Sequence, residues 1–243
     1  MRKIILVQFR RDSSALNEKE CFLRFFKKEK NLKLKIINAF DEDLDFSFPE
    51  KIINESSGVI LGGSGEFYFS GNEGEKEEVF QKMIKKITPF IKYLLQNDFS
   101  TLGICFGHQV LGYFLGTKVV SDKNQAETGS FLVSLTKEGK NSSLFFNLPS
   151  KFYAQFGHQD SLENLPKGTK LLARSEKCKV AAFQHKKNIY GLQFHPELTY
   201  KDVLSRLKLY PEYAENLNKV KEILKPTPLS AKIIENFLKL YAN

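Results

Sequence analysis

The apolar positions of this chain fall into short runs separated by amphipathic stretches, and the two kinds alternate. Lys3 to Phe9 is a continuous apolar run, as expected of a strand buried on both faces. Ser13 or Ser14 can cap a helix running to about Lys30, with Leu16, Cys21, Phe22 and Phe25 at helical spacing. Leu32 to Ile37 alternates like a strand. Gly58 to Leu61 is another short buried strand, and it stops at Gly62-Gly63-Ser64-Gly65. From Glu73 to Gln96 the spacing predicts a helix, acidic in its first turns and lysine-bearing later, a polarity that suits the helix dipole. Pro89 should kink or divide that helix near Thr88. Ser100 to Ile104 predicts a strand, and Gly107 to Leu115 a helix with Val110, Leu111 and Phe114 as its apolar face.

After residue 117 the texture changes to short strands in succession: Lys118 to Val120, Ser130 to Leu135, Phe152 to Phe156, Lys170 to Arg174, Val180 to Phe183 and Ile189 to Phe194. Turn signals such as Leu165-Pro166-Lys167-Gly168 separate them. Past Pro196 the pattern is helical again to about Ile223. Pro226-Thr227-Pro228 interrupts it before a last amphipathic helix, Ser230 to Tyr241. The fold expected is α/β: a mostly parallel central sheet with helices on both faces, an added antiparallel hairpin region, and a helical C-terminal extension. The division expected is a main domain over residues 1–198 and an extension over 199–243, packed on or beside it.

Composition narrows the class without changing that picture. With 243 residues, 42% hydrophobic and 27% charged, the chain has ordinary globular composition, which excludes a collagenous or low-complexity protein. No apolar run approaches the roughly 20 residues of a spanning helix. The N-terminus MRKIILVQFRRD reads as a buried strand, not a signal peptide. Three cysteines, Cys21, Cys105 and Cys178, fit neither a disulfide framework nor a zinc site, so the reducing cytoplasm is the expected compartment and no metal is expected. The formal charge is +9, but only six of the 37 basic residues are Arg and the lysines are scattered. That pattern predicts a solvated surface, not a nucleic-acid interface.

Chemistry concentrates in three segments. In Gly103-Ile104-Cys105-Phe106-Gly107 a buried strand runs straight into a helix, with glycine two before and two after a cysteine. This suits a nucleophile elbow, where a strained turn presents the thiol at a helix N-terminus that favours thiolate. The same residues suit a plain strand-to-helix turn that buries a cysteine. In Gly191-Leu192-Gln193-Phe194-His195-Pro196-Glu197 an apolar strand ends in His, with a carboxylate two residues on. A thiol nucleophile needs an imidazole partner, and the imidazole needs an acceptor to orient it; a strand-end His capping the next helix is the alternative. Gly62-Gly63-Ser64-Gly65 could turn a backbone amide toward an oxyanion, or be a flexible loop.

Gly103-Ile104-Cys105-Phe106-Gly107-His108-Gln109 together with His195-Pro196-Glu197 resembles the class I (triad-type) glutamine amidotransferase family, nearest to stand-alone proteins similar to the amidotransferase domain of GMP synthetase. The resemblance spans about Lys3 to Glu197. Ala126-Glu127-Thr128-Gly129, Gly157-His158-Gln159-Asp160 and Leu171-Leu172-Ala173 support it. It implies a flavodoxin-like amidotransferase fold, with Cys105 attacking the side-chain amide carbon of glutamine, His195 as acid and base, and Glu197 orienting His195. It further implies Gly63 and Phe106 as oxyanion donors, and Gln109, Gln159 and Asp160 as substrate contacts. Neither a metal nor a cofactor is implied. The glycine loop lacks the family's usual proline after the glycine pair, and the strand before the elbow has Ser100-Thr101 where a proline is common.

By that resemblance the chain would hydrolyse glutamine and hand ammonia to a separate synthase partner, since no phosphate loop of the G-x-x-x-x-G-K-S/T kind is present. One alternative keeps the triad and changes the substrate, giving a stand-alone γ-glutamyl peptidase or hydrolase acting on γ-glutamyl conjugates. Another is a non-catalytic binding or regulatory domain. His108, His185, Cys21 and Cys178 lack partners in the sequence pattern and are expected to be structural or surface residues.

Overall fold

The computed structural model describes residues 2–27, 29, 31–209 and 217–242. One nine-stranded sheet organises the chain, in the order β2-β1-β3-β4-β11-β10-β9-β6-β7. Its first half is parallel: β1 (Arg2–Gln8), β2 (Leu32–Asn38), β3 (Ser56–Leu61), β4 (Thr101–Ile104) and β11 (Ile189–Leu192). Its second half is antiparallel: β6 (Glu127–Leu135), β7 (Lys151–His158), β9 (Thr169–Arg174) and β10 (Ala182–His185). The expected hairpin region is thus continuous with the parallel sheet. A small antiparallel pair, β5 (Val119–Ser121) and β8 (Asp160–Leu162), lies apart from it.

The parallel strands are apolar on both faces because helices cover both. On one face Ile4, Leu6, Ile60 and Leu102 pack with Phe22 of α1 (Ser14–Phe26) and with Ile233, Ile234 and Phe237 of α8 (Pro228–Ala242). On the other, Ile5, Val7, Val59 and Leu61 meet Met83, Ile87, Phe90 and Leu94 of α3 (Glu75–Gln96) and Val110 and Leu111 of α4 (Phe106–Phe114). The C-terminal helix α8 therefore belongs to the main core.

Several local expectations are corrected. Leu16 is exposed, and α1 instead buries Glu18, Cys21, Phe22 and Phe26. Neither Ser13 nor Ser14 makes a side-chain cap; Asp12 accepts from the Ser14 N–H at 2.9 Å. The α3 helix runs undivided through Pro89, where the Thr88 hydroxyl donates to the Ile84 carbonyl at 2.7 Å on the preceding turn. A short helix α2 (Pro49–Ile53) has too few residues to show periodicity. Beyond Pro196, α6 (Tyr200–Leu209) and α7 (Leu217–Ile223) are helical as expected; the part of that predicted stretch at 210–216, and Lys28 and Lys30 at the end of the first helix, lie outside the described residues. A four-residue α5 (Lys137–Lys140) completes the helices described.

Candidate active site

Four adjacent parallel strands, β1, β3, β4 and β11, end at one edge of the sheet. Just beyond those ends come Arg10, Gly63, Cys105 and His195. This is the edge where parallel α/β sheets gather their functional groups.

Cys105 follows β4 and opens α4 with its backbone at φ 52°, ψ −102°. An L residue occupies the left-handed region at a cost of about 1–2 kcal/mol. The flanking glycines make the turn possible. A Cβ on Gly103 would lie 2.6 Å from the Gly107 carbonyl oxygen, and one on Gly107 only 2.2 Å from the Leu61 carbonyl oxygen. The Cys105 N–H donates to Leu192 at 2.8 Å and the Gly107 N–H to Gly62 at 3.0 Å. The elbow is thus stitched to β11 on one side and to the glycine loop on the other. The thiol donates toward the Gly157 carbonyl, 3.8 Å from Sγ, and is close enough to the His195 ring to act on its charge.

His195 is fixed by its own backbone, which donates to the Gln155 carbonyl of β7 at 2.8 Å. Its Nδ1 is 2.7 Å from Glu197 Oε1, and both side chains are buried. Burial opposes the imidazolium, but the Glu197 carboxylate and the Cys105 sulfur outweigh it and hold the His195 pKa up at about 9. Burial likewise opposes the Glu197 carboxylate, and His195 outweighs it, so Glu197 stays below its usual range. A second cation stands behind this pair. Arg206 Nη1 of α6 is 3.8 Å from Glu197 Oε1, while its Nε donates to Asn17 Oδ1 at 3.0 Å.

The other predicted residues are placed less uniformly. Gly63 lies against the same edge, a Cβ there falling 3.2 Å from His195 Cε1. Its N–H, however, donates to Glu18 Oε1 at 3.0 Å, so an oxyanion would have to take it from that carboxylate. Phe106 is the first residue of α4, where leading N–H groups have no intrahelical acceptor. The Gln109 amide donates to the Asp160 carbonyl oxygen at 2.8 Å and to Gln193 at 3.3 Å. The Asp160 carboxylate accepts from the Phe69 and Ser70 N–H groups and from the Ser70 hydroxyl, at 2.8–3.1 Å, tying that loop to the sheet. Gln159 is half-buried between β7 and β8.

Three charged residues at this edge, Arg10, Glu18 and Arg206, belong to no motif in the sequence. Glu18 is completely buried and gathers Arg10 Nε at 3.2 Å, Gln8 Nε2 at 3.0 Å and the Gly63 amide. Arg10 lies two residues past the end of β1, a position that could have drawn notice; Glu18 and Arg206 sit within helical patterns that look like ordinary solvated faces. A small, half-open cavity of about 50 Å³ lies beside His195, with Arg10, Gly65, Thr128, Gly157 and Arg206 among its walls.

The remaining histidines and cysteines lie in the core or apart from this cavity. His108 is fully buried, its ring tilted against Phe183 with centroids 5.0 Å apart, and burial pushes its pKa down to about 3. Cys21 and Cys178 are free buried thiols, both pushed up to about 12 by burial. His185 is partly buried at the end of β10. Among the described residues, no cluster of His, Cys, Asp and Glu could hold a metal ion, and no helix is long and apolar enough to cross a membrane.

Residues 31–204 match the model of the class-I glutamine amidotransferases. The chain belongs to this family. It is 36% identical over 118 residues to one subunit of the glutamine-hydrolysing GMP synthase of Methanocaldococcus jannaschii, covering 48% of this chain and 61% of that one. It is 43% identical over 153 residues to the GMP synthase of Caldicellulosiruptor saccharolyticus, covering 62% of this chain and 26% of that one. The matched stretches thus span less than two thirds of either relative. In fold, the chain is similar to a glutamine amidotransferase from Thermotoga maritima, with a TM-score of 0.76, 22% identity and coverage of 100% and 98% of the two chains.

Proposed function

We propose that this amidotransferase hydrolyses the side-chain amide of glutamine through a thioester on Cys105, in the cytoplasm, and hands the ammonia to a separate synthase partner. Residues 1–198 form the catalytic unit, and 199–243 a helical extension that helps wall it. The observation that carries the reaction is the Cys105 thiol at the head of α4, acting on the His195 ring, whose Nδ1 is 2.7 Å from Glu197 Oε1. Cys105 attacks the amide carbon, His195 gives its proton to the departing nitrogen, and the neutral imidazole then takes a proton from the water that opens the thioester. Glu197 keeps the imidazole oriented and supports its charge. The Phe106 and Gly63 amides receive the oxyanion, the second after leaving Glu18. Gln109, Gln159 and Asp160 hold the amino-acid end of the substrate. Ammonia release from glutamine should vanish in Cys105→Ala; activity that survives this substitution would refute the scheme.

A second reading is favoured by the cavity beside His195. Two buried arginines, Arg10 and Arg206, line it, groups that ammonia has no use for but that suit a γ-glutamyl conjugate whose amine part carries an anion. Comparing kcat/KM for glutamine and for γ-glutamyl peptides separates the two.

A further inference from the structure

The cavity beside His195 is set apart from the residues assigned to the glutamyl half. None of Gln109, Gln159 and Asp160 lines it. It touches the reacting centre through Gly157, whose carbonyl oxygen faces the Cys105 sulfur, and through His195 itself. A substrate acylating Cys105 would therefore send its leaving amine toward this space. The floor is apolar, formed by Leu198, Val203 and Leu207. An apolar floor with a few placed polar groups is the usual make-up of a small-ligand pocket.

Its polar walls are Ser64, Thr128, His195 and two arginines, although the chain has only six arginines. Arg10 is 3% exposed and Arg206 8% exposed. Arg10 is matched in charge by Glu18. Arg206 is only partly satisfied: Nε is used by Asn17, Nη1 faces Glu197 at 3.8 Å, and the buried Nη2 has no hydrogen-bond partner among the described residues. A buried guanidinium nitrogen without an acceptor is costly, and the fork of an arginine matches a carboxylate. An acceptor brought by a ligand would complete it.

We propose that this cavity binds the leaving half of a γ-glutamyl amino acid or peptide, with Arg206, assisted by Arg10, receiving the carboxylate of that half. The proposal rests on the γ-glutamyl hydrolase reading of the same site. Cys105 Sγ bonds to the γ-carbonyl carbon, the C–N bond breaks, and the amine leaves with the proton from His195. Water then opens the thioester, so γ-glutamyl amide plus water gives glutamate plus the free amino acid or peptide. The substrate class is a γ-glutamyl compound whose amine part carries a free carboxylate.

The test compares γ-glutamylglycine with γ-glutamylglycinamide, which differ in that carboxylate alone. In the wild type, kcat/KM should favour γ-glutamylglycine by roughly 10- to 100-fold, the range expected of a charge-assisted contact. In Arg206→Gln the preference should collapse toward unity. Because a ratio is read within each variant, damage to Glu197 cancels. Arg206→Lys, which keeps the charge without the fork, should fall between. Binding of γ-glutamylglycine to Cys105→Ala, and its weakening when Arg206→Gln is added, gives a second measure that needs no turnover. Equal kcat/KM for the two compounds in the wild type, or a preference unchanged in Arg206→Gln, overturns the proposal while leaving glutamine hydrolysis standing. Absence of hydrolysis of glutamine and of both γ-glutamyl compounds overturns the catalytic reading and the proposal together.

Discussion

Cys105 combines two features in one position, a strained backbone and a thiol at a helix N-terminus. At φ 52° a glycine would be at ease where other residues are not. Cys105→Gly should therefore be at least as stable as Cys105→Ala in urea denaturation, whereas at an ordinary helix position glycine would be about 1 kcal/mol worse. Both should be inactive. The pair His195 and Glu197 sets a pH dependence. The folded His195 pKa, about 9, lies above its ordinary 6.5. The stabilisation it supplies is fully present below about pH 6.5 and is lost as pH rises toward 9 and beyond. Glu197→Gln should flatten that decline in stability and slow turnover by roughly 10² to 10⁴-fold, since the imidazole loses its orienting anion. The placement of Cys105, His195 and Glu197 just past strand ends was legible in the sequence, because glycine or proline stands close to each. The burial of Glu18 and Arg206 was not, because a charged residue in a helical stretch looks solvated until packing buries it, and Arg10, just past β1, belonged to no motif.

At the scale of elements, the elbow depends on three backbones meeting without side chains between them. Gly107→Ala would set a Cβ 2.2 Å from the Leu61 carbonyl oxygen, so β3 and α4 would have to part. A loss of about 3 kcal/mol in denaturation, with most activity gone, is expected. Glu18 does comparable work between α1, β1 and the glycine loop. Glu18→Ala would leave Arg10 buried without its anion, and a loss of about 3–5 kcal/mol is expected from the same measurement. The parallel strands were legible as apolar runs because helices cover both faces. The continuity of the antiparallel strands with that sheet was not, since short strands with turn signals carry no mark of which neighbour they join. Pro89 misleads for a related reason: packing of Met83, Ile87 and Phe90 against the sheet holds α3 through one missing hydrogen bond.

For the whole molecule, the sheet edge that carries Cys105 and His195 lies close to α6. Arg24 of α1 bridges to Asp202 of α6 at 2.7 Å and donates to the Glu197 carbonyl oxygen at 3.0 Å, so α6 is fastened to α1 close to Glu197. If ammonia is passed to a synthase, basal glutamine turnover should be low and rise on adding that partner; a high turnover that no partner changes would favour the stand-alone hydrolase. The lysine-rich surface of a chain with formal charge +9 leaves solubility to the lysines, while two of the few arginines serve the interior. The claim on which all of this stands is that Cys105 is acylated by a γ-glutamyl group. Rapid acid quenching during glutamine turnover, followed by peptide mass analysis, measures it directly. A glutamyl adduct on the Cys105 peptide, absent from Cys105→Ala, is the expected result; hydrolysis proceeding at full rate in Cys105→Ala, with no adduct on the wild-type peptide, would contradict it.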